Sequence, residues 1–317
     1  MDTHGPHYGY FPQGPKSYLV VHPADVSSAK QRFEGTGITI VTGQRFLGGY
    51  IGLDEGKEEF LGRRMTKWVE CVKKFAMAGE TQPQSAYAAF TKSVQFQWQY
   101  AQRVIDGGGL VYSCLRDAIW SVFLPAIVGD KELAVQERQL FSLPVAKGDL
   151  AVSDPVRSAS LLNETSRAGS AELVNAINLG LPLETANHLA HLSASKHEAV
   201  KRRDVEEEGL LERTLAEFPA QRRRAISRAI VAKSKSKSSA WLTALPLKHQ
   251  HFDLSANEFR DALSMRYSRS PQSLPSSCDG CGSPFSPEHA LSWKTGGLIS
   301  RRHNEVRDVF EELINVA

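Results

Sequence analysis

The hydrophobic residues of this chain change their spacing at Asp54. Before that position, residues 17–22 and 37–41 are short, β-branched apolar runs, and residues 46–51 form a weaker third run, with Gly and Pro between them, as is typical of strands. After it, apolar residues recur every three or four positions, as on one face of a helix: Leu61, Met65, Trp68, Val72 and Phe75. The change predicts an α+β fold that is predominantly α, with a small N-terminal sheet and a helical bundle.

The same helical spacing continues to the end of the chain. It predicts helices over residues 84–104 and 110–127, separated by three glycines, and then over 156–179 and 183–218, with the first part of the basic block continuing as helix to about residue 232. A last helix is predicted over residues 301–314, and as a plain amphipathic helix it would turn an apolar face inward: Val306, Val309, Phe310 and Leu313. Ser153-Asp154-Pro155 supplies an N-cap and a first-turn proline. Ser255-Ala256-Asn257-Glu258 is a capping box, with Phe259, Ala262, Leu263 and Tyr267 on the predicted buried stripe. The Lys-Ser repeat at 233–239 predicts a hinge.

Composition limits the class of protein. The chain has 317 residues, of which 41% are hydrophobic and 23% charged, a globular balance with room for two or three domains. No apolar run approaches the length that spans a bilayer, and no secretory signal opens the chain. Four cysteines, only two of them close together in the sequence, do not form a disulfide framework. We therefore expect an intracellular protein, in the nucleus or cytoplasm, with no membrane partner.

One segment is strongly basic. No acidic residue occurs between Pro219 and Gln250. A block of this kind suits a phosphate backbone, that is, RNA or DNA. A solvated helix face followed by a loose linker is an equally good interpretation. The basic residues of the segment are Arg222, Arg223, Arg224, Arg228, Lys233, Lys235, Lys237 and Lys248.

The segment from Cys278 to His289 has the pattern of a zinc site. Cys278-Asp279-Gly280-Cys281-Gly282 is a turn that points two thiolates at one ion, and Ser286-Pro287-Glu288 caps a short helix with His289 in its first turn. A fourth ligand is expected one helical turn later, but Trp293 stands there and indole does not bind zinc. His303 or a water molecule is the predicted replacement in a structural site. The alternative is a reduced cysteine pair with Trp293 in the core.

Three C-terminal stretches resemble one family: FDLSANEFRDALSMRY, CDGCGSPFSPEHALSWKTGGL and RRHNEVRD. They are similar to the C-terminal region of reverse transcriptases from non-LTR retrotransposons, in which a zinc knuckle precedes a restriction-like endonuclease. GPHYGYFPQGPKSYLVV resembles polymerase motif D, TGQRFLGGYIG the primer-grip hairpin of motif E, and SSAWLTALPL the connection to the knuckle. The resemblance covers nearly the whole chain. It departs from the family at Trp293, where the family has cysteine.

The resemblance implies four regions. These are a palm remnant (1–52), a thumb-like helical bundle (53–150), a basic helical connector (151–240), and a zinc-knuckle-like module that ends in the first helix of a truncated endonuclease (241–317). The parent enzyme is an RNA-directed DNA polymerase, which holds Mg²⁺ on a pair of aspartates. This chain contains no Asp-Asp dipeptide. It is therefore expected to act on no small-molecule substrate and to catalyse nothing alone.

The resemblance also implies roles for single residues. Lys16 matches the motif D lysine, which would protonate pyrophosphate in an intact parent, and Arg45 lies in the primer grip. Arg301, Arg302 and Arg307 would contact phosphate, as would the arginines of the basic segment. Two further interpretations remain open: a helical protein-interaction module with a structural zinc site, and a decayed reading frame with no selected function.

Overall fold

The computed structural model of the chain describes residues 6–9, 11, 13–147, 150–235, 240–272, 274–293 and 298–316. Helices make up most of these residues, and the strands form two separate two-stranded sheets near the N-terminus. The predicted class, α+β and predominantly α, is therefore confirmed at this level of detail.

The N-terminal sheets are short because Gly and Pro interrupt the apolar runs. β1 (Tyr18–Val20) and β2 (Thr39–Val41) are parallel. They are joined through α1 (Val26–Arg32), a helix that the sequence analysis missed. β3 (Gly43–Phe46) and β4 (Gly49–Gly52) form an antiparallel hairpin. Arg45, one of the predicted nucleic-acid contacts, lies on β3 of this hairpin.

The hairpin corrects the third predicted strand. Residues 46–51 are not one strand, because Leu47 and Gly48 adopt positive φ angles of 45° and 83° and reverse the chain between them. Two successive positive φ angles are typical of a tight two-residue hairpin turn. The hydroxyl of Tyr100 donates a hydrogen bond to the Leu47 carbonyl. This contact holds the turn against the helical bundle.

The bundle begins with α2 (Asp54–Thr81), whose first turn holds Asp54 and Glu55. Each of the next two predicted helices contains a π-helical stretch, at residues 90–94 and 119–123, which the apolar spacing alone did not reveal. A short helix, α7 (Val135–Phe141), was not predicted, because it has too few residues to show a periodic pattern. The other helices of the bundle are α3 (Pro83–Ala89), α4 (Gln95–Val104), α5 (Ser113–Ala118) and α6 (Leu124–Val128).

Aromatic side chains form the centre of the bundle core. The ring centroid of Trp98 lies 6.4 Å from that of Trp68 and 5.8 Å from that of Phe90, and Phe90 stacks on Phe123 at 4.1 Å. Offset and tilted rings at these distances attract each other beyond their area burial. Tyr87 is buried as well, whereas Phe96 and Tyr100 are 52% and 42% exposed.

Two long helices follow the bundle and pack side by side as a helical hairpin. They are α8 (Pro155–Leu179) and α9 (Thr185–Ala216). The predicted N-cap is confirmed, because Asp154 accepts a hydrogen bond from the Val156 N–H at 2.9 Å. Large apolar side chains remain exposed around the connection between the two helices, and we call this set the hairpin tip: Leu173, Val174, Ile177, Leu179, Leu181, Leu183 and Leu189.

The basic segment is helical and is followed by a helix that returns to the bundle. These are α10 (Ala220–Lys235) and α11 (Ala256–Arg266). Residues 236–239 of the predicted hinge lie outside the described residues. The predicted capping box of α11 is confirmed: Ser255 Oγ accepts from the Glu258 N–H at 3.3 Å, and the Glu258 carboxylate accepts from the Ser255 N–H at 2.8 Å.

α11 completes the core of the bundle. Phe259, Leu263 and Tyr267 are 0–2% exposed and belong to the same buried cluster as the bundle helices. Arg260 Nη2 donates to the carbonyls of Gly79, Glu80 and Ala126 at 2.9–3.1 Å, which satisfies carbonyl groups at the ends of α2 and α6. The bundle core therefore continues past residue 241, where the sequence had placed a boundary.

The last two helices lie beyond this core. They are α12 (Pro287–Ser292) and α13 (Leu298–Val316). The prediction that α13 turns an apolar face inward is wrong for Val306, Val309 and Phe310, which are 55–62% exposed. No described element packs over them. The side chain of Leu313, predicted to belong to the same face, lies outside the described part of the chain.

One helical stretch among the described residues is long and apolar enough to cross a membrane. It is Gly109–Val128, with a mean hydropathy of 1.4, so the expectation that no such run exists is corrected. Leu115, Ile119 and Phe123 of this stretch are 0% exposed within the bundle core. A core helix of a soluble bundle meets the same criterion of length and composition.

Two buried tyrosines of the core differ in whether their hydroxyl group is hydrogen-bonded. The Tyr87 hydroxyl donates to the Leu150 carbonyl at 2.8 Å, whereas the Tyr112 hydroxyl has no partner among the described residues. Burial raises the pKa of Tyr112 to about 12, since the charged phenolate is disfavoured there. We expect Tyr87→Phe to lower the free energy of unfolding by about 1–3 kcal/mol. Tyr112→Phe should change the free energy of unfolding by less than about 0.5 kcal/mol or raise it. Urea denaturation measures both variants. Equal losses would contradict the statement that only the Tyr87 hydroxyl is hydrogen-bonded.

Candidate functional site

The Cys-x-x-Cys segment forms a tight loop closed by its own backbone. The Cys278 N–H donates to the Ser283 carbonyl and the Gly282 N–H donates to the Cys278 carbonyl, both at 2.8 Å. Gly282 has a φ angle of 70°, which a side chain would strain. The loop therefore fixes both cysteines at one end of a short turn.

A histidine from α12 meets this loop. Ser286 Oγ accepts a hydrogen bond from the His289 N–H at 3.0 Å, which is the N-cap that the sequence predicted. The Nε2 atom of His289 lies 3.4 Å from Cys281 Sγ. The ligand atoms of Cys278, Cys281 and His289 all lie within 4.8 Å of one another. The structure thus brings three of the predicted ligands together.

The donor set fits a zinc ion. Two thiolates and one imidazole are the ligands that zinc prefers in proteins. A hydrogen bond with the Ser283 side chain lowers the pKa of the Cys281 thiol, which favours the thiolate form that binds a metal. The group of Cys278, Cys281 and His289 can therefore hold a metal ion.

The predicted fourth ligand is not part of this group. His303 lies exposed on α13 and is not brought together with the two cysteines and His289. Trp293 instead lies beside the site, with its ring centroid 5.2 Å from that of His289. The proposed replacement of the fourth ligand by His303 therefore gains no support from the structure.

Arg222, which the sequence predicts as a nucleic-acid contact, has an ion-pair partner and a hydrogen-bond partner within the protein. Its guanidinium forms a short ion pair with Glu137 and donates to the Tyr267 carbonyl at 3.2 Å. Arg269 donates to the same Glu137 oxygen at 2.7 Å and also pairs with Asp130. We call these four charged residues the buried ion network, because Glu137 is only 4% exposed. The network joins α7 to α10 and to the chain after α11.

Helical spacing explains why Arg222 differs from its neighbours. It lies four residues before Ile226, which is 1% exposed, so both face the bundle. Arg223, Arg224 and Arg228 lie on other faces of α10 and are exposed. These three arginines remain available to a phosphate backbone.

The arginines of α13 all have protein partners. Arg301 donates to Glu305 at 3.1 Å, and Arg307 pairs with Asp308 at 2.7 Å. Arg302 donates to the Leu291 carbonyl of α12 at 2.9 Å. The positive charge of Arg301 and Arg307 is therefore offset on their own helix.

A basic cleft forms where the β3–β4 hairpin meets the bundle. It has a volume of about 530 Å³, and four cations line it: Arg45 of β3 with Arg63, Arg64 and Lys67 of α2. No acidic residue is among its described lining residues. Lys16 is exposed in the turn before β1 and does not line this cleft. Of the two residues predicted from motifs D and E, the structure places only Arg45 there.

Aromatic rings form the floor of the basic cleft. The Arg64 guanidinium lies 5.2 Å from the ring centroid of Phe60 and 5.7 Å from that of Trp68. Stacking on these rings holds the cation in place without neutralising its charge. Arg63 has only a loose pair with Glu59, at 3.7 Å between two exposed side chains, which contributes little.

A larger cavity lies on a neighbouring part of α2. It has a volume of about 830 Å³, between α2 and the chain around Asp106 to Cys114. Two lysines and four carboxylates line it around an apolar floor, so its net charge is negative and does not suit a polyanion. The basic cleft is better suited to a polyanion, since all of its charged lining residues are cations.

Comparison of the chain with family models, with curated proteins and with solved structures finds no match. The cleft, the metal-binding group and the order of elements along the chain are therefore the features that bear on function.

Proposed function

We propose that the chain is the thumb, connector and knuckle region of a retroelement reverse transcriptase, and that it binds the phosphate backbone of RNA or DNA without catalysing a reaction alone. The observation on which this depends is the basic cleft, whose four cations face no lining carboxylate. Polyanions bind to such surfaces by releasing condensed counterions. The order of elements supports the proposal: a hairpin, a helical bundle, a basic helix and a Cys-x-x-Cys-His group.

The finer assignment of regions belongs to this proposal. Residues 1–52 correspond to the end of a palm, and the hairpin of β3 and β4 to its primer grip. The bundle of α2 to α7 corresponds to a thumb, although α11 also belongs to its core. The group of Cys278, Cys281 and His289 holds a structural zinc ion. Lys16 would serve as a general acid only beside the Mg²⁺-binding aspartates of an intact parent.

The proposal is tested by the salt dependence of binding. Fluorescence anisotropy with a labelled RNA–DNA duplex, a DNA duplex and single strands would give the dissociation constant at several salt concentrations. Replacing Arg45, Arg64 and Lys67 together by Ala should weaken binding to all of them. The slope of log K against log salt should become shallower by about two to three, since about one counterion is released per lost phosphate contact.

A matched control removes the same charge elsewhere. Arg116, Arg167 and Arg202 each have a carboxylate partner within 3.5 Å and are not among the predicted nucleic-acid contacts, so their triple Ala variant should keep the wild-type slope. Equal slopes for wild type and the cleft variant would contradict the proposal. A dissociation constant that does not change with salt concentration would also contradict the proposal.

A second function is favoured by the hairpin tip. Ile177 and Leu179 are 70% and 69% exposed, and Glu184 is the only Asp, Glu, Lys or Arg from Leu173 to Ser195. Exposed apolar patches of this kind mark protein-interaction sites. A helical protein-interaction module would show no anisotropy change with any nucleic acid, which separates it from the first proposal.

A further inference from the structure

Trp293 covers one side of the metal-binding group. It lies four residues after His289, at the C-terminal end of α12, and the two rings are tilted by 41° with centroids 5.2 Å apart. A Cβ atom added to Gly280 would lie 3.2 Å from Cζ2 of Trp293. The indole therefore touches both the Cys-x-x-Cys turn and the imidazole, on the side where a ligand at position 293 would point.

The indole leaves the coordination of a bound ion incomplete. Its nitrogen has a hydrogen and donates only, so it offers no lone pair to a metal. Among the described residues, the group contains three ligating side chains: Cys278, Cys281 and His289. Zinc takes four ligands in tetrahedral geometry, and a site with three protein ligands keeps one position for an external donor.

The side chains around His289 favour one kind of external ligand for the fourth position. Phe285 and Trp293 place aromatic rings on the His289 imidazole, at centroid distances of 6.3 and 5.2 Å. A polarizable sulfur makes favourable contacts with aromatic rings, which an oxygen donor does not match. Cys281 is exposed, so a small molecule reaches the group from solvent.

From these observations we infer that the metal-loaded group binds one small monothiol as a thiolate, as the fourth ligand beside Trp293. This inference rests on the proposed metal site. In the exchange, the thiol loses its proton to solvent, its sulfur binds the ion, and a bound water molecule leaves. The product has three sulfurs and one nitrogen around the ion, one of the common ligand sets of closed zinc sites.

The test uses the full chain loaded with one equivalent of Co²⁺, whose sulfur-to-metal absorption increases with each bound thiolate. Titration with 2-mercaptoethanol without oxygen should raise that absorption by about half, since a third thiolate joins two. The rise should saturate at one equivalent of bound thiol, with the cobalt retained. Trp293→Cys should show the higher absorption from the start and no further rise.

The outcomes separate this inference from the metal site itself. If wild type and Trp293→Cys both fail to bind Co²⁺ or Zn²⁺, the metal site is wrong and the inference falls with it. If wild type binds one ion but thiol leaves the spectrum unchanged or removes the metal, only the inference is overturned. Trp293→Ala keeps the three ligands, so it should still take up the thiol, more weakly than wild type. It also provides the test if Trp293→Cys does not fold.

Discussion

Replacing Glu137 by Ala is expected to lower the free energy of unfolding by about 3–5 kcal/mol. The Glu137 carboxylate pairs with both Arg222 and Arg269, whose side chains are 26% and 14% exposed. It also accepts a hydrogen bond from the Ala134 N–H at 3.0 Å at the start of α7. The variant leaves two partly buried guanidinium groups without their shared partner, which costs far more than losing a surface ion pair.

Urea denaturation at neutral pH measures this loss. Glu132→Ala is the matched control, because Glu132 lies just before α7, is exposed and forms no ion pair among the described residues. Its effect should stay within about 0.5 kcal/mol. If both variants lose similar amounts, the buried ion network does not exist in solution as described.

Phe259→Ala is expected to lower the free energy of unfolding by about 3–5 kcal/mol. Phe259 is 0% exposed, and its ring lies 5.9 Å from Tyr87 and 5.8 Å from Trp241 between centroids. The truncation leaves a cavity between α11 and the bundle, which the surrounding helices fill only in part. Thermal and urea unfolding should remain a single transition, since α11 and the bundle share one core.

Phe252→Ala provides the comparison for this second variant. Phe252 lies in the segment before α11 but is 51% exposed, so the same truncation removes little buried area. It should cost about 1 kcal/mol or less. A separate early transition in Phe259→Ala would instead show that α11 and the knuckle form an independent domain, as the boundary at residue 241 implied.

Local signals in the sequence predicted much of the fold. Capping residues and periodic apolar stripes act between neighbours in the chain, so both ends of α8 and the start of α11 were predicted within one or two residues. The short helices α1 and α7 show no such pattern. The outward face of α13 was also missed, since a sequence pattern shows that a helix is amphipathic but not whether anything packs against it.

The two candidate sites differ in how far the sequence reveals them. Cys278, Cys281 and His289 lie within twelve residues of one another along the chain, so their meeting follows from one turn and one helix cap. The basic cleft joins Arg45 of a strand to residues of α2, where Arg63, Arg64 and Lys67 resemble an ordinary solvated face. The ion pair of Arg222 was not predicted either, since its partner Glu137 is 85 residues away in the sequence.

The return of α11 to the bundle sets the order in which a newly synthesised chain folds. Gln84 exchanges hydrogen bonds with the Phe252 carbonyl and the Leu254 N–H, at 3.0 and 2.6 Å, across more than 160 intervening residues. While the ribosome is still making the connector, the bundle has an open groove where Phe259 and Leu263 will sit. A chain that stops before α11 would keep that groove exposed, and exposed apolar surface of this kind promotes aggregation.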